Sequence, residues 1–535
     1  MASETPSMIA IEASERHRSF DMDRATISGS AMVFLSLCFL FSPFVAEDAY
    51  IVGRYAQNAA AGDGLVYNIG ERVSALTSPL HALMEATFAY CGLDPVKTYR
   101  IVAPMLVLAG WYAAIRETGV RGHALLLFTG VSLFSPFLAL WTVGGLETAV
   151  LACFATLFMS RLVVMKRVGT ADGNDFVWLG LLAALMFLTR HDSVLVTVPV
   201  LVAIAVVEFR RPALWLGAVL CLALALSWLM FSALYFGDIF PTSYYVKFAL
   251  GGRMPVDSLS ALLNFGLLSG LFLMAFLLRP VSLEKHAPLS KAILRGAAVS
   301  AVLFLVYSGR ASGQHMMFGF RLFVPYLMGA SLVLSLSLTN PRPALSALFV
   351  GWQAVMVAVV FFLGMNPAPL TRLPGLDRAY AEYEFISPAV YGSFMDMLRI
   401  DAEAIAAHWR ETGLQEQPRI YLRTGGTGYW LPDFYVYETL VSYRHGCGEP
   451  IAAMIGASHY MQQLGISVTG NMVENIARAR ADVADGSALL FATTMDWMGP
   501  KVTGYLVGLE PTPIHLGTRI GSNCVFEPQR TSNDS

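Results

Sequence analysis

Glu47 and Asp48 stand side by side at the end of an apolar run, in the stretch "FSPFVAEDAYIVGRYAQN" from Phe41 to Asn58. Neighbouring carboxylates at a low-dielectric boundary repel each other, so one of them keeps its proton to higher pH. Such a group can serve as general base toward a hydroxyl. The same acids also suit a hydrated helix end, because charge at the membrane interface costs far less than at the midplane. The next residues, "RYAQNAAAGDGLVYNIGERVSALTSPL", alternate polar side chains, glycine turns and a few apolar anchors. Within them Arg54, Tyr55, Asn58, Asn68, Glu71 and Arg72 offer hydrogen bonds suited to a polyhydroxylated ligand. An amphipathic interfacial helix followed by a turn is the alternative reading.

Cations that could hold a phosphate lie further on. "FGDIFPTSYYVK" carries Asp238, Thr242, Tyr244, Tyr245 and Lys247 just after an apolar run. Interfacial tyrosines commonly anchor a span, whereas an ammonium beside a cavity binds phosphate as a point charge. Arg190, His191 and Asp192 cluster at the apex of two short runs, which makes Arg190 a second phosphate ligand. His191 reads more readily as a structural hydrogen-bonder. Arg321 and His315 are weaker candidates. Glu147, in "GGLET", opens a helix, where an acid also favours the helix dipole. "TGGTGYW" (Thr424 to Trp430) lacks the Gly-Lys-Ser/Thr ending of a phosphate-binding loop and reads as a turn facing the membrane site.

These residues need a membrane scaffold to position them. The chain has 535 residues, 56% hydrophobic and 14% charged, against about 25% charged in soluble domains. Its net charge of −2 says nothing about nucleic acid, but no dense basic block of the kind that grips a phosphate backbone is present, so no nucleic acid partner is expected. Ile27 to Ala46 is long enough to span a bilayer and reads as an uncleaved first helix, since no small residue sits two positions before a cut at Ala46. Further apolar runs occur near 98–115, 122–142, 146–165, 176–189, 193–208, 213–236, 259–278, 293–308, 320–338 and 345–364. The run 76–91 is short and contains Pro79, His81 and Glu85. Laying it in the interface puts Arg116, Arg121, Arg161, Lys166, Arg167, Arg210 and Arg211 on the cytoplasmic side, as the positive-inside rule favours.

The expected architecture is a polytopic α-helical membrane protein of about 11 transmembrane helices with a small C-terminal external α/β domain. Residues 1–25 form a cytoplasmic tail, 26–365 the membrane module with an external catalytic loop at 47–77, and 366–535 the external domain. Within that domain Asp377 to Thr412 reads as helical, and "RIYLRT" and "SALLFATT" read as strands. Every polar motif above then falls on the external face. Cys447 and Cys524, the cysteines of the external domain, are expected to pair in an oxidising compartment. The acids leave room for a divalent metal, although no ligand set is evident and no cofactor is called for.

The first loop resembles that of bacterial GT-C membrane glycosyltransferases, in the branch containing the mycobacterial terminal β-arabinofuranosyltransferase. "GGLETAV", "LTRHDS" and "FGDIFPTSYYVK" look like later segments of that branch, in the same order. Departures include Glu47 for Asp, Asp63 for His, Ile69 for Pro, His191 for Pro and Thr242 for Asn. They surround the expected pockets, so sugar identity is not carried over. The resemblance implies a polyprenyl-phosphate sugar as donor. It also implies transfer, with inversion, to a glycan, lipid or protein acceptor at the external face of a bacterial inner membrane. Asp48, or else Glu47, would be the catalytic base. Lys247, Arg190 and Arg321 would hold the donor phosphate. Arg54, Tyr55, Asn58, Asn68, Glu71, Tyr244, Tyr245 and His191 would line the substrate. A transporter or flippase of lipid-linked sugars, or a silent glycan-binding protein, are the rival classes.

Overall fold

The computed structural model describes residues 5–241, 255–276, 287–311, 319–337, 343–364, 387–412, 417–422, 425–443, 450–455, 489–493, 511–514 and 523–526. Lys247, Tyr244, Tyr245, Thr242, His315 and Cys447 lie outside the described residues.

Each of the eleven apolar runs contains a helix. Among the described residues seven helices are long and apolar enough to cross a membrane: Asp23–Leu40, Pro95–Thr118, Thr148–Val168, His191–Glu208, Pro212–Phe236, Pro288–Ser308 and Pro343–Leu363. Gly122–Ser132 and Pro136–Val143 form an apolar pair bent by 56°, either one broken span or a re-entrant loop. Gly173–Thr189 and Val324–Ser337 are shorter apolar helices. The difference from eleven uniform spans has local causes. Pro136 disfavours helical backbone at Ser135. Gly270 (φ 81°) separates Pro255–Leu268 from Leu271–Phe276, and left-handed backbone at Gly319 and Phe320 delays the helix that follows.

We label the helices that matter for the site α1 (Thr5–Leu40), α2 (Glu47–Ala61), α3 (Pro79–Tyr90), α4 (Pro95–Thr118), α5 (Gly122–Ser132), α6 (Pro136–Val143), α7 (Thr148–Val168) and α8 (Gly173–Thr189). α3 occupies the ambiguous run; its 12 residues rise about 18 Å, too short to span. It turns His81 and Glu85 fully inward, with His81 against the Tyr99 ring at 4.2 Å. α8 meets the helix Pro212–Phe236 at Gly180 and Gly217, where either Cβ would strike the opposing backbone. Small residues let apolar helices approach closely in lipid.

The polar ends of these helices sort to two sides. At one, Arg161 pairs with Glu117 and Asp175, and Arg167 donates to the Thr118 carbonyl. At the other, α1 ends and α2 begins. Arg100 of α4 donates there to the carbonyls of Val143, Phe44 and Ser42. The Ala46 amide donates to the Gly144 carbonyl at 2.8 Å. That rim frames the carboxylate pair.

Toward the C-terminus a helix Pro388–Thr412 precedes a six-stranded sheet ordered β3-β2-β1-β4-β6-β5. Its strands are β1 (Arg419–Leu422), β2 (Tyr435–Tyr443), β3 (Pro450–Ile455), β4 (Leu489–Thr493), β5 (Pro511–Ile514) and β6 (Asn523–Phe526). β1 runs parallel to β2 and β4, and the remaining pairs are antiparallel. The two strands expected from sequence are β1 and β4, neighbours at the centre of the sheet.

Candidate active site

Ala46, in extended conformation, starts α2, and both acids occupy its first turn. That position suits them, because the free N–H groups and dipole of a helix start favour negative charge. The two side chains part from there. Glu47 points at the short helix Gly425–Trp430, whose Gly426 N–H donates to Oε1 at 2.5 Å. A Cβ at Gly426 would lie 2.6 Å from the Glu47 carbonyl oxygen, so only glycine permits this approach. The Glu47 amide donates to the Tyr391 hydroxyl at 3.3 Å. Burial first, then the Asp48 charge, push the Glu47 carboxyl up to about 8, with the Gly426 N–H offsetting part of the rise. One acid of the pair is therefore raised, as the sequence suggested.

Asp48 keeps 45% of its side chain exposed and faces a charged network. Its Oδ2 accepts from Arg321 Nη1 at 3.1 Å. Arg321 Nη2 reaches Glu147 Oε1 at 3.3 Å, and the same oxygen accepts from Arg190 Nη1 at 2.8 Å. Arg190 also forks onto Asp192, Nε to Oδ1 at 3.0 Å and Nη2 to Oδ2 at 2.5 Å. Glu147 is 1% exposed, so its charge is met by two guanidinium groups in a dry setting. Arg321 lies over the Trp141 ring (5.5 Å), and Trp141 Nε1 donates to the Gly319 carbonyl at 2.9 Å. Phe320, just before Arg321, has φ 57° with its side chain fully buried. Left-handed backbone costs a phenylalanine energy, and packing holds it there. Its ring is edge-on to Phe137 at 5.0 Å and tilted against Phe265 at 5.7 Å.

The polar residues after Asp48 hold chain to chain. Arg54 is 2% exposed and donates to four carbonyls: Tyr67 (2.7 Å), Gly428 (2.5 Å), Leu431 (3.1 Å) and Phe434 (2.6 Å). Asn68 meets Val436 through both its carboxamide atoms, each at 3.1 Å. Asn58 Nδ2 donates to Val66 and Tyr67, and the Tyr55 hydroxyl donates to Val73. Glu71 accepts from Tyr435 and from Asn68. These five polar side chains fasten the loop and clasp it to the C-terminal sheet. His191 packs between Phe187 (4.8 Å) and Phe240 (6.5 Å), and among the described residues its Nε2 has no hydrogen-bond partner.

The geometry thus joins Asp48 to Arg321, a weaker sequence candidate, and joins Arg190 to Glu147 and Asp192 rather than leaving it open. Glu147 as the shared hub was not legible beyond its helix-start position. The one signal was an acid flanked by apolar residues on both sides in "WTVGGLETAV". Among the described residues no group of three or more His, Cys, Asp or Glu could hold a metal ion.

The fold is a polytopic assembly of apolar helices carrying a C-terminal α/β region. It is similar to the crystal structure of ArnT from Cupriavidus metallidurans in the apo state, with a TM-score of 0.55 and 14% identity. The likeness covers 93% of this chain and 98% of that one. No family model and no curated protein matches the sequence.

The raised Glu47 carboxyl makes docking pH-dependent. Unfolded, the group loses its proton near 4.5; folded, it keeps it to about 8. The folded state therefore binds more protons in that window. The contribution is full below pH 4.5 and is lost as pH rises through about 8. Melting temperature in detergent is expected to fall from pH 5 to pH 9, and Glu47→Gln is expected to flatten that slope. An unchanged slope in the variant would reject this account.

Proposed function

We propose that the protein is a membrane glycosyltransferase of the GT-C type that transfers a sugar from a polyprenyl-phosphate donor to an envelope acceptor. The observation that carries the reading is Asp48, a half-exposed carboxylate at a helix mouth, 3.1 Å from Arg321 in a fold like that of ArnT. In the proposed reaction Asp48 takes the proton from the acceptor hydroxyl. The hydroxyl oxygen bonds to the anomeric carbon from the face opposite the phosphate. The anomeric C–O bond breaks, its electron pair leaves with polyprenyl phosphate, and the configuration inverts. The leaving phosphate is already an anion, so positive charge can replace a general acid. Arg321 supplies it, with Lys247 as the further donor ligand expected from sequence. Arabinofuranose, the sugar of the resembling branch, is one candidate among the pentoses and hexoses to be tried. Purified protein given synthetic polyprenyl-phosphate pentoses and hexoses is expected to release polyprenyl phosphate from at least one. Absence of both turnover and lipid binding across the panel would reject the proposal.

The working face would be external, with the N-terminus cytoplasmic and the C-terminal region outside. The support is charge: Arg161, Lys166 and Arg167 lie at the far ends of the helices whose near ends frame Asp48. Cys91 is exposed just after α3, and Asn174 is exposed at the start of α8. In intact cells an impermeant thiol reagent is expected to label Cys91 and to spare Asn174→Cys, with the other cysteines replaced. Labelling at 174 would invert the topology.

A further inference from the structure

We infer that donor phosphate and the base Asp48 compete for one guanidinium, Arg321, so that donor binding releases the base. The inference rests on the donor reading above and concerns the order of events at that site.

The network joins three carboxylates, Asp48, Glu147 and Asp192, to two guanidinium groups, Arg190 and Arg321. Its formal charge is −1, an unfavourable start for an incoming anion. Arg190 is committed, since it forks onto Asp192 and reaches Glu147 as well. Arg321 differs in three ways. Its bond to Asp48 is at the exposed side of the network, while its bond to Glu147 is at the buried side. Among the described residues its buried Nε has no hydrogen-bond partner. Its backbone is held by the strained Phe320 turn and its guanidinium lies on Trp141. The inner contacts therefore fix the guanidinium while the outer one, to Asp48, can be exchanged.

An arriving phosphate takes the Nη1 donor of Arg321 that Asp48 holds. Asp48 then loses its partner, and its Oδ2 lone pairs turn to the acceptor hydroxyl. Before donor arrival the base is occupied, which guards the site against idle proton transfer. Glu147 is a positioning residue in this scheme, because it holds Arg321 between the two anions without touching either substrate.

A double-mutant cycle on polyprenyl phosphate affinity tests the exchange, using the full-length protein in detergent and native mass spectrometry. Removing the competitor by Asp48→Asn is expected to tighten binding of polyprenyl phosphate about two- to five-fold, the range set by a partly exposed ion pair. Arg321→Gln weakens binding, and Asp48→Asn added to Arg321→Gln brings no gain. A gain that persists without Arg321 would mean simple repulsion between carboxylate and phosphate, and would overturn the exchange. Equal binding by wild type and Asp48→Asn would overturn it too. No binding by the wild type would instead reject the donor reading itself. Asp48→Ser, which still favours a helix start, repeats the cycle if the asparagine variant does not fold.

Discussion

Asp48→Asn is expected to abolish transfer, lowering turnover of a synthetic polyprenyl-phosphate sugar by about 10²–10⁴-fold, the usual worth of a positioned base. Asparagine keeps the size of aspartate and suits the first turn of α2, so the fold is expected to survive. What changes is the ability to accept a proton, and with it the charge facing Arg321 at 3.1 Å. The measurement is single-turnover release of polyprenyl phosphate, beside a melting curve showing intact protein. Near-normal turnover would remove Asp48 from the chemistry. Glu47→Gln should lose less, because Glu47 already spends Oε1 on Gly426.

Arg54→Met is expected to detach the C-terminal region from the loop at a cost on the order of 4 kcal/mol. Methionine fills similar space but donates nothing, leaving the carbonyls of Tyr67, Gly428, Leu431 and Phe434 without this partner. Each lost hydrogen bond costs about 1 kcal/mol, because Tyr67 keeps Asn58 Nδ2 and the carbonyls of Gly428 and Leu431 keep the N–H groups of Leu431 and Phe434 as second partners. The ring of Tyr67, 4.5 Å from the guanidinium, loses a cation as well. Limited proteolysis reads the outcome: the segment Gly425–Tyr443 becomes cleavable while the membrane helices stay protected. Arg54→Lys should fall between, since one ammonium cannot span four acceptors. Wild-type resistance in the methionine variant would show that the clasp contributes little.

The membrane fold was legible because burial in lipid demands long apolar runs, and hydropathy alone marks them. The breaks were less so: the kink at Pro136 is visible as a proline, but the turn at Phe320 needs tertiary packing to hold it. The carboxylate pair was visible as two acids where a span ends. Arg321 ranked low because nothing local marks it, and only the fold brings it the 273 positions back to Asp48. Arg54, Asn58 and Asn68 looked like sugar ligands for a plain reason. Side chains that bind hydroxyl groups are the same ones that bind peptide carbonyls, and sequence cannot tell which acceptor waits. "TGGTGYW" was legible as a turn facing the membrane site, and its Gly426 does meet Glu47.

The clasp at Arg54 also sets a timetable for the chain. Its carbonyl partners at Gly428, Leu431 and Phe434 are made 374 to 380 residues later. At about 5–20 residues per second, synthesis leaves the loop waiting roughly 20–75 s. During that interval the helices can insert, yet the loop beside Asp48 has no lid of sheet to settle against. A nascent or truncated chain is thus a set of membrane helices with an unfastened loop, and the clasp closes only when translation has passed Phe434.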